Sequence, residues 1–366
     1  MQRFGFPTAT LCSLILSSGC EPNFVDPVTR PPAHTFYVSP QGRDDDSGLS
    51  PQHAWNKIVR ALQVAAPGDV VELLPGRYLQ DVRSQRDGLP TAPITIKGPK
   101  EAVVSGAGAA RVIEINHSHL VLEGFTVDGL AGDATRASGF RDKLVFVFGT
   151  GTRQGVRGVR LLGLSLRNAG GECVRLRYFA RNNEIAGCSF EGCGLFDFRF
   201  GGGGKNGEGI YVGTSPSDLD DGKNPTKDPD ESSQNWIHDN IIDTGANECI
   251  DVKEAADGNL IERNTCLNQQ DADAAAISVR SSDNAIRGNV VRTSIGAAIR
   301  IGANTNNQGV RNEVSNNTWT KSVRGGIEVA AGPQGLICGN TGIESGPSVL
   351  GKSAVGIDVT SACPAK

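Results

Sequence analysis

The sequence predicts an all-β fold, a single-stranded parallel β-helix capped at its N-terminus by a short helix. Two repeats and one absence predict it. An apolar residue followed three places later by asparagine recurs at Ile237/Asn240, Ile261/Asn264, Ile286/Asn289, Val314/Asn317 and Ile337/Asn340, with asparagine spacings of 24, 25, 28 and 23. A second short pattern accompanies it: Ile250-Asp251-Val252, Ile277-Ser278-Val279, Ile299-Arg300-Ile301, Ile327-Glu328-Val329. Alternation places Ile and Val inward and the middle residue outward, the period of a strand. Helical periodicity is almost absent, so a leucine-rich solenoid is disfavoured.

Composition agrees. Forty-seven glycines without a Gly-X-Y period mean many tight turns, not collagen. A net charge of −4 disfavours a uniformly basic nucleic-acid binder. Aromatic residues at 5% leave stacking platforms sparse.

The chain begins with a leader. Arg3 is its only charge, Leu11 to Leu16 is apolar, and Ser17-Ser18-Gly19-Cys20 follows. Residues 1–19 read as a signal peptide of lipoprotein type, with Cys20 lipidated as the first mature residue. A simple cleaved signal is the alternative. Residues 20–34 read as a tether. No later stretch is long and apolar enough to span a bilayer, so a lipid anchor would be the one membrane link. This places the protein in the bacterial envelope or outside the cell, as a monomer.

Residues 35–366 form the β-helix domain. Ser50-Pro51 marks a helix start, and Ile58, Ala61, Leu62 and Ala65 share one face of a cap. Weaker coils appear at Leu122 to Phe125 and Leu161 to Leu164. Asparagine tolerates left-handed backbone and can bond to the next coil, which accounts for its column. Seven cysteines follow Cys20. Cys188 with Cys193 and Cys338 with Cys363 are candidate disulfides, and the odd number leaves at least one unpaired. An insertion at 201–234 reads as one excursion beside the site. Its Gly201-Gly202-Gly203-Gly204-Lys205 run lacks the phosphate-loop spacing.

The run Tyr37-Val38-Ser39-Pro40, Ala54-Trp55, Ala61-Leu62 and Pro67-Gly68-Asp69-Val70-Val71 resembles the start of secreted right-handed parallel β-helix proteins, the pectate lyase-like superfamily. That resemblance implies a single-stranded right-handed parallel β-helix. The same fold hosts lyases, hydrolases, epimerases and adhesins.

Stacking the second pattern coil on coil, about 4.8 Å apart, aligns three columns. One is Glu172, Glu208, Glu248. The next is Arg175, Tyr211, Asp251, Ser278, Arg300. The last is Arg177, Gly213, Lys253, Arg280. Glu208, Glu248 and Asp251 supply hard oxygen donors suited to Ca²⁺. Lys253 beside Arg280 is expected to have a lowered pKa and to act as a base. Arg280, always protonated, can neutralise a substrate carboxylate or assist a leaving oxygen. Arg177, Tyr211 and Arg300 are substrate-binding candidates.

Glu248, Ile250, Lys253 and Arg280 resemble the Glu-x-Ile-x-x-Lys segment and following Arg of chondroitinase B and alginate lyase-type enzymes. The resemblance implies a calcium-dependent polysaccharide lyase, or a C5-epimerase on the same chemistry, acting on an acidic polysaccharide. The alternative is a non-catalytic surface lipoprotein that binds glycans or scaffolds the envelope.

Overall fold

A computed structural model describes residues 34–303 and 308–365. The leader, Cys20 and nearly all of the tether lie outside these residues. Every ladder is parallel, and the strands stack into three sheets of eleven, ten and ten. Each coil contributes one strand to each sheet in turn. The result is the right-handed parallel β-helix that the repeats predict. No helix among the described residues is long and apolar enough to cross a membrane.

The first sheet runs from Thr35–Val38 to Ile337–Cys338, the second from Gly76–Tyr78 to Thr341–Ile343, and the third from Val82–Arg83 to Val349–Leu350. Alternation sets the core. In the first sheet Ile185, Ile237, Ile261, Ile286 and Val314 stack in register, all buried. In the third sheet the column is Ile210, Ile250, Ile277, Ile299 and Ile327. The two columns face the same interior, so burying one coil's apolar residues requires the coils on either side.

The open N-terminal end is closed by helix α1, Ile58–Val64, which buries Ile58, Ala61 and Leu62. Pro51 opens a separate 3₁₀ turn, Pro51–His53, rather than the helix itself. Pro fits there because the first turn needs no N–H donor.

Asparagine forms two ladders. The expected one runs Asn240, Asn264, Asn289, Asn317 and Asn340. Each Nδ2 donates to the next Oδ1 at 2.9–3.0 Å. A second runs Asn183, Asn235, Asn259, Asn284 and Asn312, and ends on Gln334. Its signal was present in the sequence, as asparagine two residues before each apolar position.

The left-handed residue is not the ladder asparagine but its predecessor: Asp239, Arg263, Gly288, Asn316 and Gly339 have φ between 54° and 64°. The asparagine is selected for its amide, which meets two buried backbone groups of the preceding coil and the side-chain oxygen of the next asparagine at once. Asn289→Ala is therefore expected to cost on the order of 3 kcal/mol, since it removes the acceptor of the buried Asn264 N–H and Nδ2 and the donor to Ile261 O, while the residue-289 N–H still reaches Asn317 Oδ1. Urea denaturation checks this.

Two disulfides are present among the described residues. Cys338–Cys363 is as expected, but Cys193 pairs with Cys173, not Cys188. Cys188 is a buried free thiol, as are Cys249 and Cys266.

Candidate active site on the third sheet

Strands Val174–Arg177, Ile210–Val212, Ile250–Val252, Ala275–Val279 and Ala297–Ile301 carry the aligned residues. The register matches the stacking by pattern: Arg175, Tyr211, Asp251, Ser278 and Arg300 are successive partners. Their environment differs from expectation. Asp251 and Ser278 are fully buried, and Arg175, Tyr211 and Arg300 are only 5–6% exposed. Outward here means away from the hydrophobic core but still beneath other side chains.

Glu208, Glu248 and Asp251 converge, with one carboxylate oxygen from each within 4.8 Å of the others. Asp251 is held from both sides. Its Oδ2 lies 2.6 Å from Lys253 Nζ, and its Oδ1 accepts from Arg280 Nη1 at 2.5 Å. Arg280 Nη2 reaches Glu248 Oε1 at 3.5 Å. Glu208 Oε2 accepts the Gly207 N–H at 3.0 Å. The Tyr211 ring meets two cations, Arg175 at 3.5 Å from its centroid and Lys253 at 4.7 Å. A second ionic group adjoins the trio, where Glu172 meets Lys143 and Arg175, each at 2.6 Å.

These contacts decide the charge states. Burial, then the charges of Glu172, Glu248 and Asp251, push Glu208 up to about 8. Burial and Asp251 push Glu248 up to about 7, against Arg280 and Lys253. Burial works against the charge of Asp251 too, but Arg280 and Lys253 outweigh it and lower its pKa. Burial and then the cations Lys143 and Arg175 compete at Glu172, which ends near 2.

Lys253 is the correction. Burial opposes its charge and Arg280 repels it, but Asp251, with Tyr211 and Glu248 behind it, outweighs both and holds the ammonium above its usual range. The expected lowering through Arg280 fails because Asp251 sits between the two cations.

The carboxylates fit a hard divalent cation. They are oxygen donors, mutually repelling, with Glu248 Oε2 buried and without a hydrogen-bond partner. Glu208 and Glu248 carry this fit. Asp251 belongs to the trio but has both oxygens committed to Lys253 and Arg280.

The 201–234 insertion is not one excursion. Strand Ile210–Val212 and Glu208 divide it, leaving one loop on each side of the third sheet. Between the loops lies a cleft of about 390 Å³, lined by Arg111, Lys143, Phe146, Arg175, Arg177 and Phe196 among others. Arg177 is in this cleft, with Nε on Asn224 Oδ1 at 2.6 Å and Nη2 3.3 Å from Asp221. Arg300 lies at the other end of the site, where burial and then Arg280 lower its pKa. Sequence reasoning missed Lys143, whose coil carries its own insertion and shows no clear repeat.

No family model matches the chain, and no curated protein matches it. Solved structures do. An alginate lyase from Paenibacillus sp. str. FPU-7 superposes with TM-score 0.59 at 19% identity, covering 78% of this chain and 94% of that one. Pectate lyase Pel9A gives 0.61 at 12%, covering 88% and 78%. The GH136 lacto-N-biosidase from Eubacterium ramulus gives 0.55 at 13%, covering 86% and 65%. The chain is thus a parallel β-helix protein of the architecture these enzymes share. Their differing reactions leave chemistry to be argued from the site.

Proposed function

We propose that this chain is a polysaccharide lyase that cleaves a uronic-acid polymer by β-elimination. The observation that carries the reading is the meeting of Lys253 and Arg280 on one buried carboxylate, beside Glu208 and Glu248; the cleft is lined by Arg175 and Arg177 of a neighbouring coil, and Arg175 reaches this group through the Tyr211 ring. Alginate and pectate lyases among the structural neighbours support the same class. The leader suits action at the cell surface, anchored through Cys20, or outside the cell.

A Ca²⁺ ion held by Glu208 and Glu248, with Asp251 adjoining, would supply positive charge that acidifies the uronate C5 proton. Lys253 takes that proton on Nζ. It can do so only as the free amine, so its link to Asp251 must loosen first. Arg280 keeps its charge throughout and stabilises the enolate-like carboxylate. The C4–O4 bond then breaks, a C4–C5 double bond forms, and O4 takes a proton from water or a neighbouring side chain. Arg177 and Tyr211 on one side and Arg300 on the other bind flanking sugars.

One observation favours a non-catalytic glycan-binding reading: Asp251 keeps Lys253 protonated. The deciding experiment incubates residues 21–366 with pectate, alginate and chondroitin, with and without Ca²⁺, and follows ultraviolet absorbance. The expected result is a calcium-dependent rise on one polymer. A flat trace on all of them sinks the lyase reading.

A further inference from the structure

The loop after strand Ile210–Val212 is rich in acids, and Asp218, Asp220 and Asp221 are exposed. Asp230 is not: it is fully buried and accepts four hydrogen bonds. The donors are the Tyr178 and Phe179 amides at 2.7 and 2.9 Å, and the Thr214 and Ser232 hydroxyls at 2.6 and 2.7 Å. Tyr178 and Phe179 are consecutive bulky residues with φ of 56° and 58°. Left-handed backbone is disfavoured for both residues because Cβ crowds the following carbonyl, so the turn needs an outside hold. Asp230 supplies it, at the residue directly after Arg177.

The same carboxylate ties both roots of the loop. Thr214 at the start donates to Asp230 at the end. Thr214 Oγ1 in turn accepts from Asn224 Nδ2 at 3.3 Å, and Asn224 Oδ1 accepts from Arg177 Nε at 2.6 Å. A chain of hydrogen bonds thus runs from a buried anchor to a cation in the cleft. Arg177 Nη2 meets Asp221 only at 3.3 Å, so the guanidinium is oriented through Nε and held lightly elsewhere.

We propose that Asp230, Thr214 and Asn224 are positioning residues, a relay that aims Arg177 into the cleft to bind a sugar carboxylate. This rests on the acidic-polysaccharide reading above. Nothing in the relay touches Lys253 or Arg280, so it acts on binding and not on the elimination step.

The test is Thr214→Val, which keeps the side-chain shape and removes the hydroxyl, with Thr214→Ser as the rescue. On the cleaved polymer, KM should rise roughly tenfold with kcat within about twofold. Deuterium uptake across residues 215–229 should rise in parallel, and Thr214→Ser should restore both. An unchanged KM with a loosened loop overturns the role of the relay in binding. Unchanged deuterium uptake overturns the relay itself. If Thr214→Val does not fold, Asn224→Ala cuts the chain one link further out and is read in the same way. If no polymer is cleaved, the dissociation constant replaces KM. A tenfold weakening then supports the relay although the lyase reading has failed. A wild-type protein that binds no uronate polymer overturns both.

Discussion

Lys253→Arg is expected to lower kcat on the cleaved polymer by roughly a thousandfold. The substitution keeps a positive charge beside Asp251, so the buried carboxylate is not left facing Arg280 alone. What it removes is a nitrogen that can lose its proton, because a guanidinium stays charged at any working pH. Lys253→Met removes charge and base together. It should lose activity to a similar degree and also lower stability by about 3 kcal/mol, as breaking a buried ion pair does. Steady-state kinetics and thermal melts separate the two variants. Wild-type turnover in Lys253→Arg would assign the base elsewhere.

The second large effect links calcium to pH. Glu208 and Glu248 titrate near 8 and 7 in the folded chain, against an ordinary value of 4.5. The folded state therefore holds protons that the unfolded chain has already lost. Without a divalent cation, these groups make stability fall as pH rises from about 4.5 towards 8, after which their effect levels off. A cation replaces those protons, so it stabilises most where they have left. Calcium at saturating concentration should raise Tm by a few degrees at pH 8.5 and by much less at pH 6. Glu208→Gln, neutral at every pH, should flatten the pH slope and remove most of the calcium response. An equal calcium shift at both pH values would place the ion outside this carboxylate cluster.

Much of the geometry is legible in the sequence. Repeat length and inward Ile and Val specify register, because a one-residue slip would send every apolar side chain to the wrong face. Once register is known, the approach of Glu208, Glu248 and Asp251 follows. The pairing of charges does not. Lys253 and Arg280 stand in one column, which suggests repulsion between them, but Asp251 projects between them and, with Tyr211 and Glu248, turns the shift upward. Period two likewise says only that Arg175 and Asp251 leave the core. Neighbouring side chains cover them afterwards. Asp230 was illegible for a related reason: an acid in a polar loop reads as solvated, and its four donors come from residues 178, 179, 214 and 232. The Cys173–Cys193 link spans 20 residues, where proximity in sequence had suggested Cys188.

The two ends of the solenoid are not equivalent. At the C-terminus, the last second-sheet strand Thr341–Ile343 is exposed along its whole length. The first-sheet edge beside it is covered by backbone bonds from Gly339 to Ser361 and Asn340 to Val359, and tied by Cys338–Cys363. A stack in which each rung holds only its neighbours behaves as a one-dimensional chain, and melting in such a chain moves as a boundary from a free end. That boundary starts at the exposed strand and must cross the coils of Ile327 and Ile299 before it reaches Arg280 and Asp251. The outermost coils thus act as a sacrificial buffer, fraying and reclosing while the chemistry deeper in the stack keeps its geometry.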